Sequence, residues 1–165
     1  VVLDRGLSYH ATGSFGWVGE SRVNQESIVY GVIRDAPTSD VSALIKARLA
    51  NMEAIMDLPD DDDFPYLTSQ IFSLPPDDPQ LGTYHTQVIH FAASYRAVEY
   101  QWERWIEKFE RLLKRMVWVS VTVHLETELS GKHVFNWEAN GNCHMPGDPN
   151  FQVNCEWEHE VDVLR

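Results

Sequence analysis

The sequence predicts an α+β fold in which an antiparallel sheet packs against two helices, one of them long. The chain has 165 residues, the length of one ordinary domain, so we expect a single domain over residues 1–165. Segments with strand-like alternation fall in two blocks, near the N-terminus and in the C-terminal third, with helical periodicity between them. Strands grouped in blocks favour helices on one side of an antiparallel sheet over alternating βαβ units.

The N-terminal block predicts two strands. Residues 27–34 are apolar on both faces, which is typical of an interior strand. Residues 7–20, which are interrupted by glycines, predict one further strand.

A first helix is predicted from Ser39 to Leu58. Side-chain oxygens at positions 38–40 are suited to cap its N-terminus, and Pro59 ends it. The spacing of its apolar residues places one face of the helix against a core. That face consists of Val41, Leu44, Ile45, Leu49, Met52, Ile55 and Met56.

A second, long helix is predicted from Val88 to Met116, where apolar residues are spaced alternately three and four apart. Aromatic residues predominate on this face, which favours a helix laid across the sheet over a coiled-coil seam. Between the helices, the Pro-rich segment 59–79 predicts a connector with a flexible acidic run, and its apolar patch of Tyr66-Leu67 and Ile71-Phe72 is expected to pin it to the core. Its aspartates at 60–63 lack the spacing, the central Gly and the distal Glu of a calcium-binding loop.

The C-terminal third predicts a three-stranded antiparallel meander. Residues 117–125 alternate apolar and polar side chains, and the sequence Ser130-Gly131-Lys132 supplies a tight reversal into a second strand at 133–139. After a Gly/Pro/Asn-rich loop, residues 151–163 alternate in the same way and form the third strand.

The charge balance restricts the possible partners. The chain has 13 Lys and Arg against 25 Asp and Glu, a net charge of −12, which disfavours binding to nucleic acid or to an anionic membrane. The surplus lies in residues 51–85, which carry −8, and residues 117–165, which carry −6. No apolar stretch approaches 18 residues and no secretory signal is recognised, so we expect a soluble, cytoplasmic protein.

The predicted binding surface is the outer face of the meander. If the alternation holds, the acidic residues of the last strand project together, and the acids of the two preceding strands share their surface with Trp118, an aromatic anchor. Such a face also suits a solvated sheet surface or a charged edge that discourages aggregation, and Trp118 also suits packing under a loop. The surface comprises Trp118, Glu126, Glu128, Glu138, Glu156, Glu158, Glu160 and Asp162.

These features predict a non-catalytic protein-binding module that meets a basic protein partner, such as an inhibitor or immunity protein of a cationic toxin, or a chaperone. No catalytic motif, cofactor or metal site is predicted, and a homodimer is a further possibility. Cys143 and Cys155 with nearby histidines lack the spacing of a zinc site.

The alternative is a small enzyme or ligand-binding protein with a pocket between the sheet and the long helix. Its polar groups would be His124, Glu126, His133 and His159, because a histidine beside a carboxylate titrates near neutral pH.

Overall fold

The computed structural model confirms the α+β fold class: a six-stranded antiparallel sheet and two α-helices. Residues 25–35, 40–74, 86–128, 130–148 and 150–158 are described, the last four of them by their backbone alone. In chain order the elements are β1 (Glu26–Arg34), α1 (Val41–Met56), β2 (Phe72–Ser73), β3 (Val88–Arg96), α2 (Trp102–Leu113), β4 (Ser120–Thr127), β5 (Gly131–Ala139) and β6 (Phe151–Glu158). The strands lie in the order β2-β3-β1-β4-β5-β6.

The strand predicted at 27–34 is β1, and it lies inside the sheet between β3 and β4. Its burial alternates: Val29 and Ile33 lie in the core, whereas Ile28 and Arg34 are exposed on the other side. The strand predicted at 7–20 lies outside the described residues.

The helix predicted from 39 to 58 is α1. Asp40 caps it, its Oδ1 accepting hydrogen bonds from the amides of Ser42 at 2.9 Å and Ala43 at 3.4 Å. Its predicted core face is wrong in large part, because only Asn51, Ala54 and Ile55 are buried.

The long helix predicted from 88 to 116 is wrong over its first third. Val88–Arg96 is strand β3, and α2 begins only at Trp102, after Ala97 adopts a left-handed conformation and a short 3-10 turn follows. Phe91 and Tyr95 are four residues apart, a spacing that fits both a helix face and one face of a strand. Their strand face is continued by Ile89, which is buried.

Aromatic rings fill the space between α2 and the inner face of the sheet. Trp105 of α2 stacks on Trp102 at 4.8 Å between ring centroids and on Phe109 at 4.9 Å. Phe109 in turn contacts Phe91 of β3 and Trp137 of β5. This packing fixes which face of the sheet is the core and which faces solvent.

The connector packs on the core through its apolar patch, as predicted, with Leu67 buried and Ile71 and Phe72 partly buried. Its acidic run is fastened to α2, contrary to the prediction of a flexible segment. Lys108 donates to the carboxylate of Asp62 at 2.6 Å and to the backbone carbonyls of Asp63 and Pro65. Beside it, Arg115, which follows α2, pairs at 2.6 Å with Asp57 at the end of α1. Part of the connector's negative charge is therefore neutralised by the protein's own cations.

The C-terminal meander has the predicted order, with β4 paired to β5 and β5 to β6. Residues 159–163 of its last predicted strand lie outside the described residues. Within the described ranges, neither helix has the length and apolar character needed to cross a bilayer.

Candidate functional site

The outer face of the sheet is the side opposite α2. Strand register aligns its positions in rows: Ile28 pairs with Glu126, and Tyr30 pairs with His124. The rows continue into β5, where Lys132 is opposite Glu126 and Glu138 is opposite Ser120. Strands β1 and β4 are far apart in sequence, so only their pairing brings Ile28 and Tyr30 beside Glu126 and His124.

A cluster of four side chains occupies the centre of the outer face. The rings of Tyr30 and His124 stack, with centroids 4.7 Å apart and planes within 6°. The hydroxyl of Tyr30 donates to Oε1 of Glu126 at 2.7 Å, and Nζ of Lys132 lies 3.6 Å from the same oxygen. Glu126 is half-buried, so one carboxylate is held in a fixed place while part of it remains open to solvent.

Negative charge is concentrated on the β4–β5–β6 side of this face. Glu138 is exposed, and backbone register pairs Glu156 with Val134 and Glu158 with Lys132. With Glu126, these outer-row positions hold four glutamates and one lysine, a net charge of −3. Lys132 lies between Glu126 and Glu158 in one row, so the protein's own lysine neutralises part of this negative charge.

Trp118 is not part of the outer surface. Its side chain is 0% exposed, and its indole N–H donates to the carbonyl of Leu113 at 2.9 Å. The ring stacks on His144 with centroids 4.9 Å apart and contacts Phe151 edge-on. Trp118 therefore packs under the β5–β6 loop, and the prediction of an aromatic anchor at this position is wrong.

His144 fastens that loop to the core. Its two ring nitrogens lie 3.0 Å from the carbonyl oxygen of Met116 and 2.9 Å from that of Asp148. Its backbone also forms an isolated antiparallel bridge with Trp118. The sequence alone offered no sign of this role, because the contact joins residues on either side of a whole hairpin.

The remaining predicted surface residues are placed only in part. Glu128 is exposed in the turn that follows β4. Glu160, Asp162 and His159 lie outside the described residues.

The alternative set of polar residues does not converge on one site. His124 and Glu126 lie on the outer face, whereas His133 pairs with Leu125 and belongs to the inner rows. Nε2 of His133 lies 3.0 Å from Oγ of Ser130. Burial lowers the pKa of His133, and a hydrogen bond to the backbone of Ser130 acts in the opposite direction.

Two open cavities of the described surface lie away from the predicted histidines. One, of about 420 Å³, is lined by Phe64, Tyr66, Tyr95 and Arg96 among others. The second, of about 440 Å³, lies where the connector meets α2, beside Asp62 and Lys108. Within the described ranges no three His, Cys, Asp or Glu side chains gather as a metal site would require.

Comparison with known proteins returned no matching family model, no matching curated protein and no matching solved structure.

Proposed function

We propose that this protein is a non-catalytic binding module whose outer face, on its β4–β5–β6 side, engages a basic surface of a protein partner. The observation that carries the proposal is Glu126, a carboxylate that is 30% exposed and is held by the Tyr30 hydroxyl at 2.7 Å and by Nζ of Lys132 at 3.6 Å. A carboxylate that is already oriented loses little conformational freedom when it meets a partner's Lys or Arg.

The surroundings of Glu126 support a protein rather than a small ion as the partner. Ile28, its neighbour across β1, is 39% exposed, and the stacked rings of Tyr30 and His124 adjoin it. Apolar contact area beside fixed charges is the usual composition of a protein interface. The exposed Glu138 extends the acidic side toward β6.

The charge of the whole chain acts on the rate of association. A net charge of −12 attracts a cationic protein over a distance of about one Debye length, roughly 8 Å at physiological salt. The same charge repels phosphate backbones and anionic lipids. A natural role for such a surface is to mask a cationic protein, as an inhibitor, an immunity protein or a chaperone does.

Affinity capture from the source organism, with three forms of the full chain as bait, tests this proposal. The outer-face variant carries Glu138→Lys, Glu156→Lys and Glu158→Lys. The control carries the same change in charge at Asp61→Lys, Glu103→Lys and Glu107→Lys, three exposed positions of the connector and α2.

We expect the wild type and the control to retain the same basic protein and the outer-face variant to lose it, with circular dichroism confirming that all three fold. Equal retention by the outer-face variant, or capture of an acidic protein by all three forms, would contradict the proposal.

A further inference from the structure

Helix α1 presents an apolar stripe to solvent. Its members are 42 to 67% exposed although all are large aliphatic or thioether side chains. At about 100° per residue they fall within an arc of roughly 80°, along a helix about 24 Å long. The stripe consists of Val41, Ile45, Leu49, Met52 and Met56.

The side of α1 that adjoins this stripe, beyond Val41, is already bound to the core. Asn51 exchanges two hydrogen bonds with the backbone of Val117, and Ile55 is 1% exposed. The helix is therefore apolar on two sides, one packed and one open. A surface helix normally keeps its second side polar, so the exposed stripe indicates a contact with another surface.

Two charges flank the stripe on the same side. Lys46 and Glu53 are both exposed and lie seven residues apart, two turns along α1. When two copies of α1 pack antiparallel, stripe against stripe, the flank of one copy meets the same flank of the other. Lys46 of one copy then lies beside Glu53 of the second, and the twofold axis generates this pair twice.

We propose that α1 is a self-association surface, through which two copies of this chain form a twofold dimer with antiparallel α1 helices. This inference uses none of the outer-face residues and goes beyond the proposed binding of a basic partner. Antiparallel packing also sets the two helix dipoles in opposition, which a parallel pair would not do.

The area available makes this a modest dimer. The exposed parts of the five stripe residues amount to on the order of 500 Å² per copy, near the lower limit for a specific interface. We therefore expect a dissociation constant on the order of 1 to 100 µM.

Sedimentation velocity of the full chain over this concentration range, at about 0.15 M salt to screen the overall repulsion, tests the proposal. Leu49→Lys, at the centre of the stripe, is expected to yield a monomer at every concentration. Because position 49 is exposed, the variant should retain its fold by circular dichroism.

Charge exchange at the flank distinguishes self-association from any other contact. K46E places acids at both flank positions, and E53K places bases at both. Each variant alone is expected to dimerise at least about fivefold more weakly than the wild type. An equimolar mixture of the two should regain a dimer, and the double variant K46E/E53K should dimerise like the wild type.

This recovery has no source within one chain, because residues two turns apart do not pair along a single helix. A wild-type chain that stays monomeric to about 200 µM, twice the upper end of the expected range of dissociation constants, would overturn the proposal. A dimer that Leu49→Lys or the charge exchanges leave unchanged would also overturn it.

Discussion

Position 31 in β1 has no room for a side chain. A Cβ at Gly31 would lie 2.3 Å from the carbonyl oxygen of Thr122 and 2.6 Å from Cζ of Phe91. We predict that Gly31→Ala lowers the free energy of unfolding by about 2 to 4 kcal/mol, because both neighbours belong to the packed sheet. Urea denaturation measures the change. The control Ala92→Ser, at an exposed position of β3, should lower the free energy of unfolding by less than about 0.5 kcal/mol.

His133 gives the fold a defined dependence on pH. Burial lowers its pKa in the folded state, so the unfolded chain takes up a proton first as the pH falls. We predict that the stability contributed by neutral His133 is present above about pH 6.5 and is lost below it, as pH falls toward the folded-state pKa.

Denaturation of wild type and His133→Gln between about pH 5 and 8 measures this effect. The advantage of the wild type over the variant should shrink as the pH falls, and an NMR titration of the ring should give a pKa below that of a free histidine. A constant difference across this range would refute the assignment.

Individual residues of the site were predictable to different degrees. Glu126 could be placed on the outer face from alternation along one strand, because alternation needs only local sequence. Its fixed orientation could not, since the donor, Tyr30, is 96 positions away and is brought near only by the pairing of β1 with β4. Trp118 was misplaced because it precedes β4 and is already turned toward the loop that covers it.

At the scale of elements, one lysine joins the connector to α2. The side chain of Lys108 is 9% exposed and donates to Asp62 and to two backbone carbonyls. Burial acts to raise the pKa of Asp62, but the hydrogen bond and charge of Lys108 bring it below its ordinary value. We predict that Lys108→Met lowers the free energy of unfolding by about 2 kcal/mol. Removing this charged donor leaves the Asp62 carboxylate and two backbone carbonyls without their hydrogen bonds.

The neighbouring pair of Arg104 and Asp63 serves as the matched control. It is solvent-exposed and 3.4 Å long. Arg104→Met should therefore change the free energy of unfolding by less than about 0.5 kcal/mol. Equal costs for the two variants would show that the connector is not held through Lys108.

Asn51 joins α1 to the residue that leads into β4. Its side-chain amide donates to the carbonyl of Val117 at 2.9 Å and its carbonyl accepts from the amide of Val117 at 2.7 Å. We predict that Asn51→Ala lowers the free energy of unfolding by about 2 to 4 kcal/mol, because two buried backbone groups lose their partners. Chemical denaturation should show no comparable loss for Glu103→Ala, at an exposed position of α2.

The elements themselves were partly predictable. The N-cap residues and Pro59 predict the ends of α1, and the alternation of apolar and polar residues predicts the meander. All of these signals are local in sequence. The error at 88–96 arose because residues four apart share a face in both a helix and a strand. Pairing with the neighbouring strand β1 makes this segment a strand, and that pairing cannot be read from local sequence. The apolar patch of the connector was predictable from local sequence, whereas the fastening of its acidic run was missed because the cation lies more than 40 positions along the chain, on α2.

At the scale of the whole molecule, the sheet separates two surfaces of different character. The inner face is filled by aromatic rings under α2, and His133 lies in its rows whereas His124 lies on the outer face. The outer face holds an oriented carboxylate and, on its β4–β5–β6 side, a net charge of −3. The proposed binding role rests on the outer face alone.

The salt dependence of association with the captured basic protein tests the role of the outer face most directly. Stopped-flow measurements should give a rate constant that falls steeply as salt rises from about 0.05 to 0.5 M, for both the wild type and the Asp61/Glu103/Glu107 control. The variant with lysines at 138, 156 and 158 should associate at least about tenfold more slowly at low salt. Equal rate constants for this variant and the wild type would contradict the account.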